Sequence, residues 1–194
     1  TIREYNLTEA DARGERFKDA PKDLLNNGDI LSLTQADTIS DIHKRFLEAG
    51  ADIIETNTFS ATSLGQSEFF VEDPRDTGGR KDPEFYQKII EDKFLNELAR
   101  DINVQSAQQC RKQADIVARA TGRPRFVAGA IGPLTVSLSN TPDADDASFR
   151  PVTFDQVKAS YIAQVRALIE GGVDILLVET IFDALNAKAA LIAI

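Results

Sequence analysis

Two strings, Glu48-Ala49-Gly50-Ala51-Asp52-Ile53 and Glu170-Gly171-Gly172-Val173-Asp174-Ile175, write one pattern twice. In each, a helical stretch meets glycine, then a small or β-branched residue, then Asp at the start of an apolar run. Glycine takes positive φ without a Cβ clash, so Gly171 and Gly172 suit the end of a helix. Val173 to Val178 is nearly continuously apolar, as in a parallel strand covered on both faces. An αβ junction used twice implies a repeated βα architecture. A run of hairpins or an all-helical bundle does not produce it.

The rest of the chain fits that frame. Residues 1–30 are polar and irregular, with turn residues at Asn26-Asn27-Gly28-Asp29, and a short apolar run follows at Ile30-Leu31-Ser32-Leu33. Thr34 is placed to N-cap a helix over 35–48, whose Ala36, Ile39, Ile42 and Phe46 recur at helical spacing with Leu47 beside the last. Ala51 to Phe59 reads as strand then loop. Ala61 to Phe70 can begin a helix, and Pro74, Gly78-Gly79 and Pro83 mark 71–84 as an exposed excursion. One long helix is expected from about Phe85 to Ala120, with Ile89, Ile90, Phe94, Leu98, Ile102, Ala107, Ile116 and Val117 on or near one face. Gly122 and Pro124 stop it. Arg125 to Pro133 is the next strand with its loop, and 134–151 is loop. A helix over 154–170 turns Val157, Tyr161, Val165 and Leu168 inward, and Ala184 to Ile194 is a further helix. Three parallel-type strands, each followed by a helix, predict an α/β fold: a partial (β/α)8 TIM barrel of about three βα units, one domain over 1–194. A closed barrel needs eight such units and typically ~250 residues. Three units leave two open sheet edges, which isolated domains avoid.

Composition excludes several classes of function. A formal charge of −9 over 194 residues argues against a nucleic-acid surface, which needs a basic stripe. No apolar run approaches the ~20 residues of a membrane span, and no signal peptide opens the chain. The single cysteine makes no internal disulfide, so a reducing, cytoplasmic setting is expected. The chain begins at Thr1 and has no methionine, and it reads as processed or excised from something longer.

Polar groups gather where the three strands stop: Glu55-Thr56-Asn57, then Gly132 with Thr135, then Glu179-Thr180 with Asp183. In α/β folds that end of the sheet holds ligands. The competing reading is that Glu55 and Glu179 pair with local cations or cap the next helix, and the two readings stand level. Gly129 and Gly132-Pro133 can let backbone approach a ligand, but relief of crowding at the rim is the favoured account. His43 and Cys110, the only residues of their kinds, sit mid-helix and far apart in sequence, so packing suits both better than catalysis. They cannot assemble a Cys-rich zinc site. Asp143-Ala144-Asp145-Asp146 lacks the glycine an EF-hand turn needs and reads as solvated loop charge. Asn6-Leu7-Thr8 is a glycosylation sequon without meaning unless the chain is secreted. No phosphate loop, dinucleotide fingerprint or Ser-His-Asp arrangement is present.

Leu7 to Phe17, Glu48 to Phe59, Pro142 to Asp155 and Val178 to Ala190 together resemble the N-terminal homocysteine-binding domain of cobalamin-dependent methionine synthases. The resemblance covers nearly the whole chain except 71–84, which looks like a surface insertion. It implies a (β/α)8 barrel that binds zinc through three cysteines and presents homocysteine as a thiolate for methylation by methylcobalamin, ultimately from methyltetrahydrofolate. It also implies partner modules of the same polypeptide for folate, cobalamin and S-adenosylmethionine. Carried over by motif, Glu179 meets the homocysteine amino group, and Thr56, Asn57 and Thr58 shape the same mouth. The family's Asp-Gly-Gly-Met-Gly first strand is expected just before Thr1 and is absent. Its zinc cysteines fall beyond Ile194, and Cys110 matches none of them. No catalytic residue is therefore assigned, and these residues alone are expected to hold neither zinc nor cobalamin and to transfer no methyl group. A zinc-dependent homocysteine methyltransferase using betaine or S-methylmethionine is the alternative, disfavoured by Leu7–Phe17 and Pro142–Asp155. A non-catalytic barrel fragment is the third reading.

Overall fold

The computed structural model describes residues 1–194. Its three strands, β1 (Ile53–Glu55), β2 (Phe126–Ile131) and β3 (Ile175–Val178), form one parallel sheet in that order. Ile54 stands beside Val127, and Ile131 beside Val178. The helices are α1 (Glu9–Arg13), α2 (Leu31–Thr34), α3 (Ala36–Glu48), α4 (Ser63–Phe70), α5 (Pro83–Glu91), α6 (Lys93–Thr121), α7 (Phe154–Gly171) and α8 (Ala184–Ala193). Short 3-10 turns occupy Ile2–Tyr5 and Pro74–Thr77. This is the expected mixed α/β architecture, with a helical crossover between each pair of parallel strands.

Both copies of the repeated junction fold alike. Gly50 and Gly172 take φ of 110° and 90°, which only glycine adopts cheaply. Asp52 and Asp174 then open their strands and are held by arginines: Asp52 by Arg125 at 3.1 Å, Asp174 by Arg111 at 2.8 Å. Gly171 has a different reason from the one its sequence suggests. It lies inside α7, and a Cβ there would sit 2.5 Å from the Ala107 Cβ of α6. It is a contact glycine, not a turn glycine.

Helix α6 is the spine, packed against α3, α4 and α7 and against β1 and β2. Beneath it, Ile54 and Val127 bury with Leu47, Cys110, Ala114 and Val117. A larger core joins Ile131, Tyr161, Val165 and Leu168 with Ala189 and Ala190 of α8. Each large side chain fully buried there contributes roughly 1.5–3 kcal/mol. The inward set expected for α7 is buried throughout, and the helix opens with a reciprocal Thr153–Gln156 capping box.

Two boundaries differ from expectation. The long helix is broken at Asp92, whose ψ of 120° ends α5 and whose carboxylate caps α6 through the Leu95 N–H at 2.8 Å. Apolar periodicity runs through the break because α5 and α6 each turn a buried apolar stripe toward α7. Thr34 does not cap α3. The Ile30–Leu33 run coils into α2 and takes Thr34 as its last residue, leaving Gln35 at the α3 N-terminus with no side-chain cap. The buried stripe of α3 is Ile39, His43 and Leu47, while Phe46 is 53% exposed.

The other sheet face is open where the strands begin, although Ala128 and Ala130 of β2 on that face are buried. Ile53 and its register partner Phe126 are 52% and 42% exposed, and Ile175 is 38% exposed. No helix is long and apolar enough to cross a membrane.

Candidate ligand-binding mouth

At the end of β1 the backbone continues the ladder, the Thr56 N–H donating to the Ala128 carbonyl at 2.9 Å. Thr56 and Thr58 are buried, their hydroxyls 2.6 Å apart. Thr56 Oγ1 accepts the Ala130 N–H at 2.9 Å, and the Thr58 hydroxyl donates to the Ala130 carbonyl at 2.8 Å. These two side chains carry the β1–β2 pairing past the last regular strand residue. Asn57 is half-buried. Its amide donates to the Gly28 carbonyl at 2.7 Å and to Ser32 Oγ at 3.1 Å, and its N–H donates to Ser106 Oγ at 2.7 Å. It therefore ties the mouth to the 28–32 segment and to α6.

At the end of β2, a Cβ on Gly132 would lie 2.3 Å from the Phe59 carbonyl oxygen, so glycine is what allows the two strand-end loops to pass. Gly129 likewise leaves room for Leu168. At the end of β3, the Glu179 N–H donates to the Ile131 carbonyl at 3.1 Å. The half-buried Glu179 carboxylate has one side-chain partner, the Thr180 hydroxyl. Thr180 takes φ of 54°, a strained conformation for a β-branched residue, and such strain clusters at ligand sites. The bland account of Glu55 and Glu179 does not describe them. Neither pairs with a cation, and the following helices are capped by Thr62 and Asp183 instead.

Asp183 is a brace. Its buried carboxylate accepts from the Ser137 and Ser139 hydroxyls, the Ser139 N–H and the Leu185 N–H. Burial works to raise its pKa, but these hydrogen bonds win and hold it well below the usual carboxylate range.

Cys110 and His43, far apart in sequence, meet behind β1 because α3 and α6 pack side by side. Cys110 Sγ lies 3.1 Å from His43 Nε2 and 3.4 Å from the Glu55 carbonyl oxygen. The pair is not a catalytic dyad. Burial pushes the thiol up and the imidazole down to about 4, so both are neutral near pH 7. No three His, Cys, Asp or Glu side chains are placed to hold a metal ion, and this buried neutral pair does not fit zinc.

Sequence reasoning missed a polar cavity beside the mouth, between the 71–84 segment and the 134–151 loop, with Glu68, Arg80, Lys81 and Tyr86 in its wall. The signal that could have found it is opposite charge on two separate loops, joined here by Arg80 and Asp143 at 2.6 Å.

Parallel βα units, with polar groups at the strands' carboxyl ends, define part of a barrel enzyme fold. The sequence profile of the homocysteine S-methyltransferase family matches residues 5–194, and the chain belongs to that family. Among solved structures, the homocysteine methyltransferase MmuM from Escherichia coli in its metallated form is similar in fold, with 19% identity and a TM-score of 0.57. That likeness covers 84% of this chain and 50% of MmuM. The apo form of MmuM gives 16% identity and a TM-score of 0.54, over 86% of this chain and 48% of MmuM. The chain thus spans about half the length of these structures and shares the fold of part of their barrel.

Proposed function

We propose that this chain is the homocysteine-binding part of a methionine synthase, a methyltransferase carrying a methyl group from methylcobalamin, ultimately from methyltetrahydrofolate, to homocysteine. The observation that carries the reading is Glu179, a carboxylate without a cationic partner at the carboxyl end of β3, in a chain of the homocysteine S-methyltransferase family. A carboxylate facing the homocysteine ammonium forms a charge-assisted hydrogen bond, worth roughly 1.5–3 kcal/mol. Thr56, Asn57 and Thr58 would act by fixing the backbone of the same mouth.

Methylation needs the substrate thiol to lose its proton, and zinc, when bound, supplies that by stabilising the thiolate. The residues here do not fit that ion, so zinc and cobalamin belong to the complete enzyme. Its folate, cobalamin and S-adenosylmethionine modules are the proposed partners. Residues 1–194 then form one part of the homocysteine-binding barrel, with 71–84 as a surface insertion, and a buried free cysteine suits the cytoplasm. A second reading, a homocysteine methyltransferase using betaine or S-methylmethionine, draws support from the fold likeness to MmuM.

Calorimetric titration of the full-length protein with homocysteine tests the assignment. Glu179→Ala should weaken binding by about tenfold or more, the effect of one charge-assisted bond, and Glu55→Ala should weaken it far less. Equal effects would remove Glu179 from the site. Methyl transfer from methylcobalamin, compared with betaine and S-methylmethionine, separates the two donors.

A further inference from the structure

The cavity between the 71–84 segment and the 134–151 loop has a volume of about 600 Å³ and lies on the carboxyl-end side of β1 and β2. Thr135, one of the polar groups after β2, is in its wall, while Glu179 and Thr56 to Thr58 are not. Three cations, Arg75, Arg80 and Lys81, line it in a chain of net charge −9. Lys81 is consumed, with its Nζ 3.0 Å from Glu68 and 3.4 Å from Asp73. The guanidinium groups are not. Arg75 places Nε and Nη2 on Asp73, leaving Nη1. Arg80 uses only Nη2, on Asp143, leaving Nε and Nη1, and its stacking on the Phe149 ring at 3.4 Å holds the group in place.

Tyr86 supplies an independent sign. Its side chain is 2% exposed and lines the cavity, yet its hydroxyl makes no hydrogen bond, whereas the equally buried Tyr161 donates to the Gly132 carbonyl at 2.9 Å. The hydroxyl is not sealed away from water, so it faces the cavity and is free to donate to whatever occupies it.

The spare groups are donors, while each carboxylate already faces a cation, Asp73 included. Glu68 accepts from Lys81 and Thr135, while Asp143 accepts from Arg80 and from the Asp145 and Asp146 N–H groups. The three cations are balanced by Asp73, Asp143 and Glu68, so what the cavity offers an oxyanion is its spare guanidinium N–H groups, which suit planar or tetrahedral oxygens. We propose that this cavity binds a small oxyanion, a carboxylate or a phosphate, between the Arg75 and Arg80 guanidinium groups and the Tyr86 hydroxyl.

Isothermal titration of the full-length protein at constant ionic strength, with inorganic phosphate in one arm and glutarate in the other, tests this and distinguishes the two sources. One of the two should saturate. Arg75→Gln with Arg80→Gln should weaken it about tenfold or more, and Tyr86→Phe, which removes one hydroxyl and leaves the packing, about threefold. Thermal unfolding of the unliganded Tyr86→Phe protein should match that of the parent. The proposal is overturned if neither anion saturates, if binding is unchanged in both variants, or if choline binds in their place.

Discussion

Asp183 and Asp29 are both buried carboxyls beside the strand ends, and their environments push them in opposite directions. Asp183 receives enough hydrogen bonds to stay ionised, so the stability it contributes is present above the ordinary carboxyl pKa and is lost as pH falls through its depressed value. Asp29 is buried with too few donors, chiefly the Ser60 N–H at 3.0 Å, and burial raises its pKa to about 7. The sign is then reversed: its contribution is complete below the unfolded value near 4 and is lost as pH rises through about 7. Asp29→Asn, which keeps an acceptor for Ser60, should therefore stabilise the protein at pH 8 by up to about 4 kcal/mol. The gain should shrink steadily toward pH 4. Urea unfolding at pH 4, 6 and 8 measures it, and a gain independent of pH would mean that Asp29 is ionised throughout. At this scale the sequence showed little, because a burial penalty depends on neighbours from distant segments. Glu179 was legible, since it closes a recognisable strand within a recognisable motif. The Cys110–His43 contact was not, because nothing in the spacing of 43 and 110 says that α3 and α6 lie together.

Among the elements, α7 and α8 were readable from periodicity, and so were the strands that follow Gly50 and Gly172. What escaped were features that do not alter the pattern of apolar residues. The Asp92 break sits inside an unbroken stripe, and the Ile30–Leu33 run has too few residues to show a period. Gly171 and Gly172 sharpen the point, because adjacent glycines serve different physics. At Gly172 the cost of a side chain is backbone strain at φ of 90°, about 1–2 kcal/mol. At Gly171 the added methyl meets Ala107 at 2.5 Å and the Val104 backbone at 3.0 Å, so α6 and α7 must separate. Overpacking of that kind costs typically ~1–3 kcal/mol, toward the upper end where backbone is the obstacle. Gly171→Ala should thus lower stability at least as much as Gly172→Ala, and Ala107→Gly should recover part of the first loss and none of the second. Chemical denaturation of the four variants reads this directly. Recovery of neither loss would assign Gly171 to the turn after all.

Over the whole molecule, the sheet is covered by helices on one face, while the other is exposed at the strands' amino ends although Ala128 and Ala130 of the central strand are buried, and β1 and β3 both lie at edges. Ile53, Phe126 and Ile175 form that exposed part, and Leu191, Ile192 and Ile194 of the last helical segment are 62%, 54% and 55% exposed. Monomers rarely leave contiguous apolar surface of this kind in water, and unpaired parallel edges invite association. The partial-barrel reading of the sequence already implied open edges. It could not show that the exposed side chains are large or that Ile53 stands beside Phe126, which is what makes the face adhesive. On the partial-barrel proposal, residues 1–194 alone should self-associate at micromolar concentration and enhance the fluorescence of a hydrophobic dye, while a form with the barrel completed should do neither. Ile53→Glu with Phe126→Glu, placed opposite each other on the exposed part of that face, should restore monomer in the short chain without loss of helical circular dichroism, because neither side chain belongs to the three buried cores. Sedimentation of the two forms decides it: a short chain that stays monomeric and takes up no dye would show that this face is not the surface that associates.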